Sequence, residues 1–315
     1  MNLPDRKEVL ILGNQVIKLS TADQEKLKTM YHKYAVTPPP YATFSAKTPG
    51  FVVTIYQSGK VMFQGKDADS EAVKWGTPAK KKQASPPKTT LPEGFSNWSV
   101  VGSDEVGKGD YFGPLVVVSA FVSRDQIALV KELGVKDSKQ LSDPEIIRIA
   151  RDLHAAIPYQ KATLHNPTYN KMQRTMTQGK MTAIAHNAAL HALLEKLEQK
   201  PDAILIDQFA EKSVYYQHLR AERDVVRDDV YFSTKAEGLH VAVAAASILA
   251  RAFFLKEMDK LSKQVGLPLP KGAGAKVDQV AAQIIRRHGQ DYLQKIAKVH
   301  FANTKKAINL NERRL

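Results

Sequence analysis

The chain has 315 residues, 43% hydrophobic and 25% charged, which is typical of a globular protein of about two domains. Lys and Arg number 46 against 32 Asp and Glu, and the resulting net charge of +14 favours an anionic partner such as nucleic acid. The chain has no cysteine and no apolar run of transmembrane length, which excludes disulfides, thiolate metal sites and helical membrane proteins and favours the cytoplasm.

Residues 1–76 predict a small α+β domain in the order β-α-β-β-β-α. The segments "EVLILG" and "VIKLS" indicate strand, and "FVVTIYQSGKVMFQG" predicts a hairpin that turns at Ser58-Gly59. "DADSEAVKWG" predicts a closing helix. One face of the resulting sheet is expected to pack against the helices, and the other face is free to bind a partner.

The first helix of this domain is predicted to begin at Thr21, with Gln24 as its capping-box partner. Helical spacing places four side chains on one apolar face, namely Leu27, Met30, Tyr31 and Tyr34. Residues 77–96, "TPAKKKQASPPKTTLPEGFS", combine prolines and lysines with few large apolar side chains and predict an extended linker.

Residues 97–315 predict a larger α/β domain, because strand patterns alternate with helical ones. Strands are expected at Ser99–Gly102, at Leu115–Phe121, at 159–164 and at "DAILID". Helices are expected after a capping box at Ser142 and Glu145, in "TQGKMTAIAHNAALHALLEKLEQK", and in "HVAVAAASILARAFFLKEMDKLSKQ", which is apolar nearly all round at its start. "VDQVAAQIIRRHGQDYLQKI" predicts two more helices.

Several carboxylates follow apolar strands or precede the alanine-rich helix. We call this set the acid cluster, and it consists of Asp104, Glu105, Asp207 and Glu237. In α/β sheets active sites form at the carboxyl ends of strands, so we expect these acids to converge. Converging carboxylates repel one another in a low dielectric, and a divalent cation would keep them ionised. Oxygen ligands without cysteine indicate Mg²⁺ or Mn²⁺.

The adjacency of Asp104 and Glu105 raises a geometric problem, because neighbouring side chains of a strand point to opposite faces. Both can serve one ion only if the strand has ended or bulged, or if Glu105 acts through its carbonyl or a water. The following Gly107-Lys108-Gly109 lets backbone approach a ligand closely, and its amides can bind phosphate or hydroxyl oxygens.

The motifs "GSDEVGKGDYFGPLVVVSAFV", "GVKDSKQLS", "AILIDQFA" and "TKAEGLHVAVAAASILAR" occur in this order between about residues 98 and 300. Together they resemble the type 2 ribonucleases H, and more narrowly the ribonuclease HIII branch. Lys108 and Glu237 favour that branch, since ribonuclease HII usually has arginine and aspartate at these places. The small N-terminal domain resembles the TATA-box-binding-protein-like domain that ribonuclease HIII carries ahead of its catalytic domain.

The resemblance implies a ribonuclease-H-like mixed sheet flanked by helices, and an endonuclease that cuts the RNA strand of an RNA–DNA hybrid. It implies two Mg²⁺ or Mn²⁺ ions held by the acid cluster, with Asp104 bridging them, and products with 5′-phosphate and 3′-hydroxyl ends. It implies that the backbone of Gly107-Lys108-Gly109 reads the RNA 2′-hydroxyl and that Ser138 and Lys139 contact phosphate. We expect a monomer that does not bind membranes.

Alternatives stay open on the sequence. A non-catalytic nucleic-acid-binding protein accounts for the charge but not for clustered carboxylates, which oppose phosphate binding. A different two-metal phosphotransferase of this fold, such as an integrase or resolvase, does not account for the specific motifs. A ribonuclease HII-like enzyme would cut at single ribonucleotides in DNA. For the fourth acid, Asp228 or Asp229 is the alternative to Glu237.

Overall fold

A computed structural model describes residues 13–39, 42–57, 59–76, 91–135 and 138–312. The chain divides into two compact units, Met1–Pro86 and Pro87–Leu315. Most of the predicted strand "EVLILG", the turn residue Ser58 and residues 77–90 of the predicted linker lie outside the described residues. Within the described part of the chain, no helix is long and apolar enough to span a bilayer.

The first unit has the predicted β-α-β-β-β-α order. Its elements are β1 (Gly13–Lys18), α1 (Thr21–Tyr31), a 3₁₀ helix (His32–Tyr34), β2 (Ala42–Lys47), β3 (Val52–Tyr56), β4 (Lys60–Gly65) and α2 (Ala68–Trp75). The strands form an antiparallel sheet in the order β1-β4-β3-β2. Alternate strand residues such as Val53 and Ile55 share a core with Leu27 of α1 and Ala72 of α2, so both helices cover one face.

The helix α1 begins at Thr21 as predicted, but its capping residue is Ser20 and not Thr21. The cap is Ser20, whose hydroxyl accepts a hydrogen bond from the Asp23 amide, while Gln24 donates to the carbonyl of Leu19. Ser20 is the better cap because its backbone is still extended there, whereas Thr21 is already helical. The predicted apolar face is only half buried, since Leu27 and Tyr31 lie in the core but Met30 and Tyr34 are exposed.

The second unit is an α/β domain. Its strands are β5 (Val100–Val106), β6 (Leu115–Val122), β7 (Tyr159–Leu164), β8 (Ala203–Asp207) and β9 (Val230–Ser233). Its α-helices are α3 (Ile127–Glu132), α4 (Asp143–Ala156), α5 (Asn166–Gln173), α6 (Gln178–Leu194), α7 (Lys212–His218), α8 (Val241–Val265), α9 (Ala275–His288), α10 (Leu293–Ile296) and α11 (Ala302–Glu312). Short 3₁₀ helices lie at Phe95–Asn97, Arg124–Gln126, Ser138–Gln140, Ala236–Gly238 and Gln290–Tyr292.

The sheet of this unit is mixed and covered on both faces, as predicted. Its order is β7-β6-β5-β8-β9, with β8 parallel to β5 and β9 and with β6 antiparallel to β5 and β7. The helix α8 packs on one face and α6 on the other. A Cβ at Gly102 would lie 2.3 Å from the backbone of Ala242, so glycine is what allows α8 to begin this close to β5.

The described end of the predicted linker belongs to the second unit. Phe95 is 4% exposed and packs in the main core with Val100, and its ring contacts Trp98 and Tyr231. An aromatic ring buried at this depth contributes to stability like any core residue. Residues 91–96 therefore belong to the second unit, and truncations should begin at Pro87 rather than after residue 96.

Tyr215 supplies a test of packing that is independent of function. Its side chain is 1% exposed, and its hydroxyl has no hydrogen-bond partner among the described residues. A buried unpaired hydroxyl is unfavourable, so we expect Tyr215→Phe to melt at the wild-type temperature or about 2–4 °C higher. Tyr111→Phe is the matched control and should melt lower, because the Tyr111 hydroxyl bonds to Thr304 at 2.9 Å. A lower melting temperature for Tyr215→Phe than for the control would contradict this reading.

Candidate active site

The acidic pair of β5 lies inside the strand and not after it. We predicted that the strand ends at Gly102, but β5 continues to Val106 because β6 pairs with it along its whole length. The parallel partner β8 pairs with β5 only as far as Ser103 and itself ends in Asp207. The pair therefore stands just past the carboxyl end of the parallel pairing, beside Asp207, which is the place that the sheet rule predicts.

Asp104 is the buried member of the cluster. Its side chain is 6% exposed and faces α8, where Ser247 forms a hydrogen bond with it. Burial raises the pKa of Asp104 well above its usual range, and the nearby charges of Glu105 and Asp207 raise it further. The Ser247 hydrogen bond opposes this shift, and a bound cation would favour the ionised carboxylate further.

Asp207 is bonded to the segment that carries the fourth acid. Its Oδ1 accepts a hydrogen bond of 2.9 Å from the amide of Ala236, one residue before Glu237. Burial raises the pKa of Asp207; the bond from Ala236 opposes this, and the charges of Glu105 and Glu237 add to it. The electrostatic coupling indicates that the acids from β5, β8 and the 3₁₀ helix at Ala236–Gly238 lie close together.

Glu237 is held by the motif that contains Ser138 and Lys139. Its Oε2 accepts from the Ser138 amide at 2.9 Å, and its Oε1 pairs with the Lys139 ammonium at 3.0 Å. Ser138 is buried, and its hydroxyl lies 3.0 Å from that of Ser247. Arg251 donates to the Ser138 carbonyl at 2.6 Å and so fixes this segment from α8. Ser138 is thus buried and contacts Glu237 from the protein interior, while the Lys139 side chain reaches the surface.

Glu105 points to the other side of the sheet, as strand alternation requires. The register of β5 with β6 is regular through the pair, so no bulge turns Glu105 towards Asp104. Its Oε2 lies 3.0 Å from Nε2 of His186, which is fully buried and bonds through Nδ1 to the Ser103 hydroxyl at 2.8 Å. Its Oε1 lies 3.7 Å from the Lys108 ammonium. These contacts fix the carboxylate from the α6 side.

Within the described residues, no group of three or more His, Asp or Glu side chains is arranged to hold a metal ion as it stands. Glu105 faces the opposite side of the sheet from Asp104 and contacts His186, while Glu237 pairs with Lys139. The donor set nevertheless consists of carboxylate oxygens, which suits a hard divalent cation.

The Gly107-Lys108-Gly109 segment is a turn whose two glycines have different surroundings. Gly107 has φ +93°, and a Cβ there would lie 2.1 Å from the Pro114 carbonyl oxygen. A Cβ at Gly109 would meet no atom within 4 Å. Gly107 is therefore required by the fold, whereas Gly109 presents open backbone to solvent. The Lys108 ammonium lies 4.8 Å from the centre of the Phe209 ring.

The alternative fourth acids lie at the other end of the sheet. Asp229 precedes β9, and the parallel register sets Val230 beside Ile204 and Ser233 beside Asp207. The Asp229 side chain is 52% exposed and pairs with Lys200 at 3.6 Å. The geometry therefore favours Glu237 over Asp228 and Asp229.

Sequence reasoning missed several residues that support the cluster: His186, Ser247, Arg251 and Phe209. His186 stands in an alanine-rich helix, where a lone histidine usually packs in a core. Its ring stacks on Phe209, with ring centres 5.1 Å apart, and Phe209 follows Asp207 in the "AILIDQFA" motif. The signal for Phe209, Ser247 and Arg251 was their place in the family motifs, whereas nothing local indicated His186, because its partners come from distant parts of the chain.

Known proteins match this sequence along nearly its whole length. The sequence model of the family Ribonuclease HII matches residues 101–304, and a family described as a domain of unknown function, DUF3378, matches residues 14–88. Ribonuclease HIII of Exiguobacterium sibiricum is 64% identical, covering 96% of this chain and 99% of that protein. Ribonuclease HIII of Bacillus subtilis is 51% identical with the same coverage.

Solved structures give the same result. The crystal structure of Bst-RNase HIII in complex with Mn²⁺ is 45% identical and superposes with a TM-score of 0.70, covering 96% of this chain and 100% of the other. Aquifex aeolicus RNase H3, at 23% identity and a TM-score of 0.53, shares the fold over 90% of this chain and 99% of its own. Full-length identity at this level, on a fold that gathers the motif acids at one sheet edge, shows that the chain belongs to the ribonuclease HIII family.

Proposed function

We propose that the acid cluster hydrolyses the RNA strand of RNA–DNA hybrids, the activity of the ribonuclease HIII family, with Mg²⁺ or Mn²⁺ as cofactor. The observation that carries the proposal is the burial of Asp104 beside Glu105 and Asp207, which makes the site a strong attractor of cations. A non-catalytic nucleic-acid-binding surface would gain nothing from such a cluster, because carboxylates repel phosphate.

The chemistry of the donor atoms fits the ions that the family implies. All candidate ligands are carboxylate oxygens, and the described residues around Asp104 place no lysine or arginine in a hydrogen bond with it. Bst-RNase HIII is a relative that binds Mn²⁺. Asp104, Glu105, Asp207 and Glu237 would hold two such ions, which would supply an activated water and stabilisation of the leaving 3′ oxygen, and the products would carry 5′-phosphate and 3′-hydroxyl ends.

In this proposal the protein's own side chains and amides position the carboxylates of the acid cluster. His186 orients the Glu105 carboxylate, and the Ser138 amide orients that of Glu237, each through one hydrogen bond. Lys139 is exposed beside the cluster and is our candidate for a phosphate contact, as the sequence predicts. The open backbone at Gly109 is our candidate for recognition of the 2′-hydroxyl that distinguishes RNA from DNA.

The first unit supplies a basic face that suits a nucleic-acid backbone. The strand register places Lys18 opposite Lys60, and alternation puts both on the same face as Lys47, away from the helices. All three lysines are exposed, and none of the described strands β1 to β4 contains an acidic residue. We infer that this face binds hybrid and raises the affinity of the catalytic unit.

Deletion of residues 1–86 tests that inference. We expect the remaining chain to fold, because the cores of the two units share no residue. Its Michaelis constant for hybrid should rise by about tenfold or more while kcat changes little, since only phosphate contacts are lost. Steady-state kinetics and a melting curve provide the measurement. An unchanged Michaelis constant would refute a substrate-binding role for the first unit.

A charge-matched pair of variants sharpens the test. Alanine at Lys18, Lys47 and Lys60 should raise the Michaelis constant and flatten its dependence on salt. Alanine at Lys26, Lys28 and Lys74 removes the same charge from the helices, where each lysine already pairs with an acid, and should leave both quantities unchanged.

The activity itself is tested by incubating the enzyme with a labelled RNA–DNA hybrid, with Mg²⁺, with Mn²⁺ and with EDTA. Duplex DNA, duplex RNA and a DNA duplex with one ribonucleotide are the comparison substrates. Of the hybrid, duplex DNA and duplex RNA, we expect only the hybrid to be cut, and only when Mg²⁺ or Mn²⁺ is present. Efficient cutting at the single ribonucleotide would favour the ribonuclease HII-like alternative, and no cutting of hybrid would refute the proposal.

We further infer that the enzyme acts in the cytoplasm as a monomer. Every acid of the cluster comes from one chain, so the site needs no second copy. The complete lack of cysteine agrees with a reducing compartment. Light scattering of the purified protein tests the first point, and fractionation of the producing cells tests the second.

A further inference from the structure

The loop between β5 and β6 is held from its inner side by side chains that donate to backbone carbonyls. We call residues 107–114 the glycine loop. The donors are Lys298, which precedes α11, Gln178 at the start of α6, and Asn166 at the start of α5. All three are far from the loop in sequence, so the shape of the loop depends on the tertiary fold and not on its own sequence alone.

Lys298 is the central donor. It is fully buried, and its ammonium lies 2.9 Å from the carbonyl oxygen of Asp110, 2.5 Å from that of Gly113 and 3.4 Å from that of Pro114. An ammonium has three hydrogens, so three carbonyls match it fully. The Asp110 carboxylate instead accepts from the amide of Gly272. A buried ammonium is costly unless its hydrogens are all bonded, and here the glycine loop provides the partners.

Gln178 holds the loop at the glycine motif itself. Its side-chain amide donates to the carbonyl of Lys108 at 2.9 Å and to the hydroxyl of Tyr169 at 2.9 Å. Tyr169 is fully buried, and the Lys298 ammonium lies 5.5 Å from the centre of its ring. Gln178, Tyr169 and Lys298 therefore form one connected support beneath the loop.

The direction of these bonds matters for recognition. In a trans peptide the C=O and the N–H point in opposite directions. Because Gln178 binds the Lys108 carbonyl on the inner side, the N–H of Gly109, in the same peptide unit, points outward. An added Cβ at Gly109 meets nothing within 4 Å, so this side is open to a ligand. Burial lowers the pKa of Lys298 to about 7, and the nearby Asp110 carboxylate opposes this shift.

We propose that Lys298 and Gln178 are positioning residues that aim the Gly109 amide at one 2′-hydroxyl of the RNA strand. The inference rests on the proposed function, since it assigns the origin of RNA recognition within the same site. Neither side chain touches the substrate in this account. Each acts through the peptide units whose carbonyls it binds.

The test pairs protein variants with substrate changes. Hybrids that each carry a single 2′-deoxy substitution at successive positions are compared with the all-RNA strand by kcat/KM. In the wild type, one position should show a loss of about tenfold, the scale of one lost hydrogen bond in a buried site. In Lys298→Met and in Gln178→Ala the loss at that position should shrink to about threefold or less, because the amide is no longer aimed.

Leu153→Ala is the control for stability. Leu153 is fully buried in α4, away from the loop, so this variant should melt lower yet keep the full position-specific loss. Folded Lys298→Met and Gln178→Ala proteins that keep the full loss would overturn the inference. If Lys298→Met does not fold, the half-buried Gln178 decides by the same criterion. A wild type that does not cut hybrid at all refutes the proposed function instead.

Discussion

Asp104→Asn is expected to lose cleavage of RNA–DNA hybrid by at least about a hundred- to a thousand-fold while it still binds the hybrid. The carboxylate is the buried centre of the acid cluster, and an amide cannot supply the negative charge that attracts a divalent cation. Removal of one group that stabilises charge in the transition state typically lowers the rate by this factor. Asp207→Asn should behave in the same way, because the two carboxyls act on the same ions in our proposal.

The melting temperature and the binding of hybrid distinguish this loss of activity from unfolding. In EDTA we expect Asp104→Asn to melt at the wild-type temperature or above, because the amide removes a buried charge that neighbouring acids repel. Binding of hybrid in EDTA, followed by fluorescence anisotropy, should match the wild type. Near-normal turnover by either variant would show that the cluster is not the catalytic site, even with the family assignment intact.

Gly109→Ala and Gly107→Ala are expected to fail for different reasons. At Gly109 a methyl group enters open space at the surface that we assign to the 2′-hydroxyl, so activity should fall by about tenfold or more with no change in melting temperature. At Gly107 the methyl group meets the Pro114 carbonyl at 2.1 Å and the backbone has φ +93°. That variant should lose on the order of 2 kcal/mol of stability.

Melting curves and steady-state kinetics of both variants decide the matter. Lys108→Ala is a milder comparison, because we expect its ammonium to supply at most one phosphate contact, and the effect should weaken as salt is added. A folded Gly109→Ala enzyme with normal activity would show that the loop does not recognise RNA in the way we propose. An unfolded Gly109→Ala protein would make that glycine structural, contrary to the open space around it.

Sequence alone predicted the parts of the site that follow from local rules. Strand patterns located Asp207. The rule that sites form at the carboxyl ends of strands correctly placed it next to the acidic pair of β5. The alternation of side chains correctly warned that Asp104 and Glu105 diverge. The end of β5 was predicted too early because pairing with β6, a tertiary event, extends the strand through the acids.

The supporting residues could not be predicted because their partners are far away in sequence. His186 bonds Ser103, 83 residues earlier, and Lys298 bonds Asp110, 188 residues earlier. No periodicity or spacing connects such positions. A histidine in an alanine-rich helix and a lysine in "AKVHF" look ordinary until the fold surrounds each of them with specific acceptors.

The late position of Lys298 has a consequence for how the protein matures during translation. The described strands of the first unit lie between Gly13 and Gly65, so its sheet can form as soon as that segment leaves the ribosome. The catalytic unit must wait, since β5 needs β8 and the glycine loop needs Lys298. If the first unit binds hybrid as we propose, a nascent or prematurely ended chain would bind hybrid before it could cut, and would shield the hybrid from complete enzymes.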